Sequence, residues 1–365
     1  MMRSRTGTKR VLYVSGYADV AGGGQVSLLL LLKLLDRERF LPMLLCPSEG
    51  EVARRARDLG VDVHVLGEGA SFDSLSAVCR ALSLRRRVKT LGAGLVHCDT
   101  IYAAITTGIG LMGLRVPIVF HARSSESGGP FDAIVPWLCA KIVCVSKATA
   151  RRFSSQSPSK VHVVYNGADL SVFRPGVGGG ALRKELGIAH DAFVVGYAGQ
   201  LIKVKGLELL LRAFSTLRAE FANATLLIAG RGRDEAALRA AAGEGVIFLP
   251  FSDSMPDFYS ALDVFALPTL HPEGLSRSLI ESMACAVPSV ATPVGGNAET
   301  LVDGETGYFV PARDEGALHD RLRQLYLAPD GRSRMGAAAR KRAERLFDAV
   351  ACARAVEALY QQVCA

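Results

Sequence analysis

This chain of 365 residues has no run of about 18 uninterrupted apolar residues, the length a membrane-spanning helix needs, so an integral membrane protein is not expected. Its basic start, MMRSRTGTKR, leads into VLYVS and stops at Gly16. That apolar segment is too short for a signal peptide, and a cytoplasmic protein is expected. Cys-x-x-Cys is missing as well. The eight cysteines sit singly, mostly among apolar neighbours (LLCP, IVCVS, MACAV), as small buried hydrophobes do, and no zinc or other metal site is expected. Asp-x-Asp, the usual mark of a metal that holds a diphosphate, occurs nowhere. Acidic residues are scarce in the first half: through Pro175 there are 13 Asp and Glu against 23 Lys and Arg, whereas the remainder has 22 against 20. A basic excess on one half suits an anionic partner, whether nucleic acid, an anionic membrane surface or a phosphate-bearing substrate; a solvated face that aids solubility is the alternative.

What is abundant is aliphatic residue and glycine, in a repeating order. Apolar, β-branched runs at 10–15, 41–46, 61–66, 95–98, 118–121 and 141–146 read as strands, separated by helix-like patterns at 26–35, 51–59 and 75–91. The segment RPGVGGG (174–180) reads as a linker or hinge. Beyond it the alternation restarts, with strands at 193–198, 225–229, 246–249, 264–267, 289–291 and 307–310 and a helix over 207–221. The fold class is therefore α/β, with two Rossmann-like doubly wound domains facing a central cleft. The expected division is 1–173, 174–345 and a C-terminal helix within 346–365.

Two loops can hold phosphate. Gly22-Gly23-Gly24 lies between the first strand and its helix, where glycines allow close backbone approach and helix-start amides receive anions; it lacks Gly-x-Gly-x-x-Gly spacing, so a dinucleotide site is not indicated. In EGLSRSLIE (273–281), a helix is expected to begin near Leu275, so the amides of Gly274, Leu275 and Ser276 can face a phosphate. Glu281, two turns on, suits two hydroxyls of a ribose; the bland alternative for the segment is an exposed helix with a Glu at its start for dipole reasons.

With GQLIKVKGLELLL, DVFALPTLHPEGLSRSLIESMACAVPSVAT, PVGGNAETLVDGETGYFV and the junction YNGADLSVFRP, the chain resembles the retaining glycosyltransferases of family 4, which have the GT-B architecture. The order and spacing agree over roughly 161–310, and the N-terminal half agrees more loosely. The resemblance implies a diphosphate-binding Lys205, a Glu273 that faces the transferred sugar, a ribose-binding Glu281, diphosphate-facing amides at Gly23 and Gly24, and a His121 that faces the sugar. It also implies that the C-terminal helix crosses back onto the first domain. Gln200 stands where the family commonly has Arg, and a glutamine lacks the fixed positive fork; Lys203 or Arg277 is expected to supply the charge. The chemistry implied is hexosyl transfer from a nucleotide sugar, a UDP- or GDP-sugar being expected, and without Asp-x-Asp it is expected to be metal-independent; the basic first half favours a carbohydrate or lipid-linked acceptor of polysaccharide, exopolysaccharide or glycolipid synthesis. No cofactor and no nucleic acid partner is expected; the basic first half suits an anionic membrane surface, which would make the protein peripheral at the inner face. A nucleotide-sugar epimerase of the same architecture and a non-catalytic sugar-nucleotide binder are the alternatives. Asn166-Gly167 and Asp169 read as turn and cap. Gly295 and Gly296 suit a tight backbone approach near the cleft, Glu299 reads as a cap or an ion-pair partner, and RRRVK (85–89) reads as a lipid contact or a charged helix end.

Overall fold

The computed structural model describes residues 8–20, 22–67, 77–250 and 255–364, and the chain divides into two compact units. Unit 1 is Met1–Asn166 with Ala349–Ala365, and unit 2 is Gly167–Asp348. The first crossing thus falls at the Asn166-Gly167 turn and not at the expected 173/174. The RPGVGGG segment belongs wholly to unit 2. Two of its glycines serve close packing there: a Cβ on Gly179 would run into the Ser260 carbonyl, and one on Gly178 into the Asp257 carboxylate.

Unit 1 runs β1 (Lys9–Val14), α1 (Gly23–Leu34), β2 (Phe40–Cys46), α2 (Glu51–Asp58), β3 (Asp62–Val65), α3 (Ala77–Thr90), β4 (Leu95–Cys98), α4 (Ile101–Leu111), β5 (Ile118–Ala122), α5 (Phe131–Leu138), β6 (Lys141–Cys144), α6 (Lys147–Ala150) and β7 (Val161–Val163). The first two residues of the helix expected over 75–91 lie outside the described residues, and α4 and α5 have no counterpart in the sequence reading. Unit 2 runs α7 (Gly179–Glu185), β8 (Phe193–Ala198), α8 (Leu207–Glu220), β9 (Ala224–Ala229), α9 (Glu235–Ala241), β10 (Val246–Leu249), α10 (Met255–Ser260), β11 (Val264–Leu267), α11 (Arg277–Ala284), β12 (Ser289–Ala291), β13 (Gly307–Phe309), α12 (Glu315–Leu327) and α13 (Pro329–Leu346). The chain then returns to unit 1 as α14 (Ala349–Cys364).

Both sheets are parallel throughout, ordered β3-β2-β1-β4-β5-β6-β7 and β10-β9-β8-β11-β12-β13. Parallel strands are covered on both faces, which is why they read as unbroken apolar runs. In unit 1, successive strand residues alternate between two cores. Val11, Tyr13, Leu44 and Val119 pack with α1, α2 and α14; Leu12, Val14, Leu45, Val96 and Phe120 pack with α3, α4 and α5. In each sheet the strand order reverses beside its first strand, between β1 and β4 and between β8 and β11. Loops at the carboxyl ends of strands flanking such a reversal are splayed apart, which makes the place where doubly wound sheets take ligands.

Candidate functional site

In unit 2 the two loops at the reversal supply the charged pair. After β8 the chain passes Gly199 and Gln200, forms a 3-10 turn over Lys203–Lys205 and enters α8 through Gly206, at φ +73. Only glycine suits that position, because a Cβ would also strike the Pro268 carbonyl of the loop after β11. That second loop is tied to the first by Leu270 N–H donating to the Val204 carbonyl at 2.8 Å and by Thr269 Oγ1 donating to it at 3.3 Å. The clasp brings Lys205 Nζ to 3.0 Å from Glu273 Oε1, with both side chains about four-fifths buried. Gln200 is exposed, while its carbonyl accepts from the Tyr197 hydroxyl at 2.8 Å.

Helix α11 begins at Arg277, with Ser276 as its N-cap, two residues later than expected. This corrects the reading of Ser276: its buried amide donates to Asn297 Oδ1 at 3.1 Å and is committed within the protein. Gly274 and Leu275 are buried in the same turn. Glu281 is also buried, with Oε1 accepting from Arg277 Nη2 at 2.8 Å and Oε2 from the Tyr259 hydroxyl at 2.9 Å. Burial keeps Tyr259 protonated, and so a donor, far above the usual phenol range. A carboxylate accepts about four hydrogen bonds, so Glu281 retains capacity for hydroxyls. Arg277 Nη1 also donates to the Gly167 carbonyl at 3.1 Å, which occupies the guanidinium that was expected to stand in for the missing Arg. Lys203 is exposed. Arg231 was not singled out from the sequence; its carbonyl accepts from Leu201 N–H at 3.0 Å, beside Gln200, because β8 and β9 pair.

Asn297 is the residue in GGNAE that sequence reasoning missed. It is fully buried on a 3-10 turn entered through Gly295 (φ +57), and Gly296 N–H donates to the Glu273 carbonyl at 2.8 Å. The Gly295–Asn297 segment therefore holds both ends of the 273–276 turn. Asn297 Nδ2 is buried with no acceptor among the described residues.

In unit 1 the corresponding strand ends carry a different set. Gly22 N–H donates to Gln25 Oε1 at 3.0 Å at the head of α1, and a Cβ on Gly24 would lie 3.4 Å from Arg123 Cδ, so the glycine turn and the residue after β5 adjoin. His121, 6% exposed, lies with its ring 5.3 Å from that of His97, and Arg123 Nη2 is 3.4 Å from His121 Nδ1. Asp99 accepts from Ser15 Oγ at 3.1 Å and from Gly16 N–H at 2.9 Å. Burial and the Arg123 charge push both histidines down, His97 to about 3 and His121 well below its usual value; burial raises Asp99 against the pull of Arg123. His97, Asp99 and Arg123 were not singled out from the sequence. Their signal was position, at or just past the carboxyl ends of β4, which flanks the reversal, and of β5 beside it. Among the described residues no group of three or more His, Cys, Asp or Glu could hold a metal ion.

Comparison with known proteins follows the same division. The family model described as "Glycosyl transferases group 1" matches residues 180–342, and that described as "Glycosyltransferase Family 4" matches residues 21–172. A Staphylococcus aureus capsular polysaccharide biosynthesis glycosyltransferase, CapM, is 30% identical over 47% of this chain and 47% of its own. A Corynebacterium glutamicum GDP-mannose-dependent monoacylated phosphatidylinositol monomannoside mannosyltransferase is 34% identical over 55% of this chain and 56% of its own. The chain thus spans about half the length of these curated relatives. The Anabaena protein HepE, solved with UDP, shares the fold at a TM-score of 0.84 and 20% identity, covering 97% of this chain and 100% of that one.

Proposed function

The chain belongs to glycosyltransferase family 4, and on that premise we propose that it moves a hexosyl group from a nucleoside diphosphate sugar to an acceptor hydroxyl. The setting proposed is the synthesis of envelope polysaccharide, exopolysaccharide or glycolipid. The observation that carries this reading is the Lys205–Glu273 pair on the two loops at the sheet reversal of unit 2, with Glu281 held on the helix that follows. The Lys205 ammonium offsets the charge that builds on the departing diphosphate, and the N-terminus of α11 adds its dipole. Glu281 takes the ribose hydroxyls, and Glu273 faces the sugar. For unit 1, the proposed roles are diphosphate contact by the Gly23 and Gly24 amides and sugar contact by His121.

The acceptor oxygen bonds to the anomeric carbon as the bond from that carbon to the diphosphate oxygen breaks on the same face. The acceptor's proton passes to the departing oxygen, and configuration is retained. No metal or cofactor is required. HepE was solved with UDP and the Corynebacterium relative is named for GDP-mannose, so both nucleotides are candidates. The acceptor is a carbohydrate or a lipid-linked sugar. The basic unit 1 and the phosphatidylinositol mannoside in the Corynebacterium relative's name support the lipid-linked form, with the protein cytoplasmic and peripheral on an anionic membrane.

Titration with UDP, GDP and ADP and their sugars tests this. Lys205→Ala is expected to weaken the preferred diphosphate at least about tenfold, the worth of a charged hydrogen bond. EDTA should leave turnover unchanged, and the product's anomeric proton should show the donor's configuration by NMR. Wild-type affinity of Lys205→Ala for every nucleotide would sink the donor-site assignment. In the same series, Lys203→Ala and Arg231→Ala report which cation stands in for Gln200.

A further inference from the structure

The solvent face of the α3–α4–α5 layer in unit 1 departs from what a surface helix layer ordinarily shows. α4, IYAAITTGIGL, has no charged residue, and its outward stripe is Tyr102, Ile109 and the C-cap Met112, with Ile105 between them half-buried against the core. Met112 is 67% exposed, and Tyr102 and Ile109 are exposed as well. Beside the stripe on α5 stand Ile134 and Trp137, three residues apart; Trp137, the chain's single tryptophan, is 86% exposed.

These helices adjoin closely. A Cβ on Gly108 would strike the Leu138 side chain, one on Gly110 would strike the Ala81 carbonyl, and the rings of Tyr102 and Phe131 meet at 5.4 Å. The apolar residues therefore form one patch, of the kind that on a water-facing surface marks an interaction site. Cations edge it. Arg85 Nη1 donates to the Gly110 and Met112 carbonyls at 3.2 and 2.8 Å, which anchors the basic turn of α3 at the end of α4, and Arg86, Lys89 and Arg115 are exposed. From residue 77 to 168 the sequence has 12 Lys and Arg against three acidic residues. Of those three, Asp99 is buried and Asp132 is paired with Arg152.

We propose that this face docks on an anionic lipid bilayer, with Trp137 and the α4 stripe seated among the headgroups and Arg86, Lys89 and Arg115 against acidic lipid. A protein partner needs no rim of one sign, whereas apolar and aromatic side chains flanked by cations are what an anionic interface takes. α4 starts directly after β4 and Asp99, and α5 follows β5 and Arg123. The Tyr102 end of the face therefore lies toward the strand ends at which His97, Asp99, His121 and Arg123 gather, while Met112, Trp137, Arg86, Lys89 and Arg115 lie where the helices lead into the next strands. The proposal rests on the reading of a lipid-linked acceptor above, and deepens it by naming the surface.

Trp137 reports on this face alone. The full chain is mixed with vesicles of phosphatidylcholine, with and without phosphatidylglycerol. With the anionic vesicles, tryptophan emission is expected to shift to the blue and to be quenched by brominated lipid. Arg86→Glu/Lys89→Glu should weaken partitioning at least about tenfold, and Ile109→Ser/Trp137→Ser, read by sedimentation, should weaken it too. Nucleotide affinity, measured in parallel, should be unchanged in both variants, which shows that they are folded. Unchanged emission with vesicles, or equal sedimentation of all three proteins, overturns the proposal. So does a blue shift on concentrating the protein without lipid together with a dimer in light scattering, which would give the face to a second copy. Docking without sugar transfer to any lipid-linked acceptor would overturn the acceptor reading and leave the surface in place.

Discussion

His97 and His121 are buried, and among the described residues the charged neighbour that bears on both is the like-signed Arg123. His97 Nδ1 lies 2.6 Å from the Tyr360 hydroxyl, which in turn donates to Tyr13, and both phenols are held protonated by burial. Such a site holds a neutral imidazole. In the unfolded chain each histidine gains its proton near pH 6.5, whereas in the fold it does so only near 3 for His97 and well below 6.5 for His121. Between those values the unfolded state binds more protons, so stability is full above about pH 6.5 and falls as the pH drops, by up to about 1.4 kcal/mol per pH unit for each histidine. Asp99, raised by burial, works in the opposite sense at the acid end. Urea midpoints at pH 7 and 5 should show the loss, and His97→Gln should flatten it. An equal slope in that variant would place the effect elsewhere.

At the scale of elements, the Gly295–Asn297 segment is the brace of the candidate donor loop. Asn297→Ala leaves the buried Ser276 amide without its acceptor, and should cost about 1–3 kcal/mol in thermal or urea unfolding. Asn297→Asp keeps that acceptor and so most of the stability, but puts a carboxylate at the head of α11, and nucleoside diphosphate affinity should drop while affinity for the bare nucleoside holds. Equal losses for both ligands would make Asn297 a structural brace and nothing more. None of this was visible in GGNAE, because a side chain's partner twenty-one residues away is set by the loop path. The strands were legible, since burial on both faces demands an unbroken apolar run; the roles expected of Lys205, Glu273 and Glu281 came from the resemblance of their motifs, and the fold brings the first two together. α4 was not legible. A helix whose inner and outer faces are both apolar has no period to detect, and the property that hid it is the one that makes its outer stripe a candidate docking face. The glycines of RPGVGGG misled in another way: glycine marks close packing as readily as a hinge, and Gly178 and Gly179 do the former.

At the scale of the molecule, unit 1 is discontinuous in sequence and is completed by the last helix. Ala353, Val356, Leu359 and Tyr360 of α14 lie in one core cluster with Tyr13, Leu28, Leu32 and Phe40. Glu357, 1% exposed, accepts Asp36 N–H at 2.8 Å and pairs with Arg354. Burying Val356, Leu359 and Tyr360 contributes roughly 2 kcal/mol each, roughly 6 in all. That is comparable with the whole stability of a domain, about 5–15 kcal/mol. A chain ending at Asp348 should therefore lose unit 1 while unit 2, whose residues are all present, keeps its fold. In hydrogen exchange the amides of β1 and α1 should lose protection and those of β8 and β11 retain it, and the preferred nucleoside diphosphate should still raise the melting temperature of what remains. In the full-length chain, Tyr360→Ala should move unit 1 the same way by about 3–5 kcal/mol, the usual cost of truncating a buried aromatic. If β1 and α1 stay protected without α14, the helix is an accessory to a core that closes by itself, and the basic unit needs only its first 166 residues to fold.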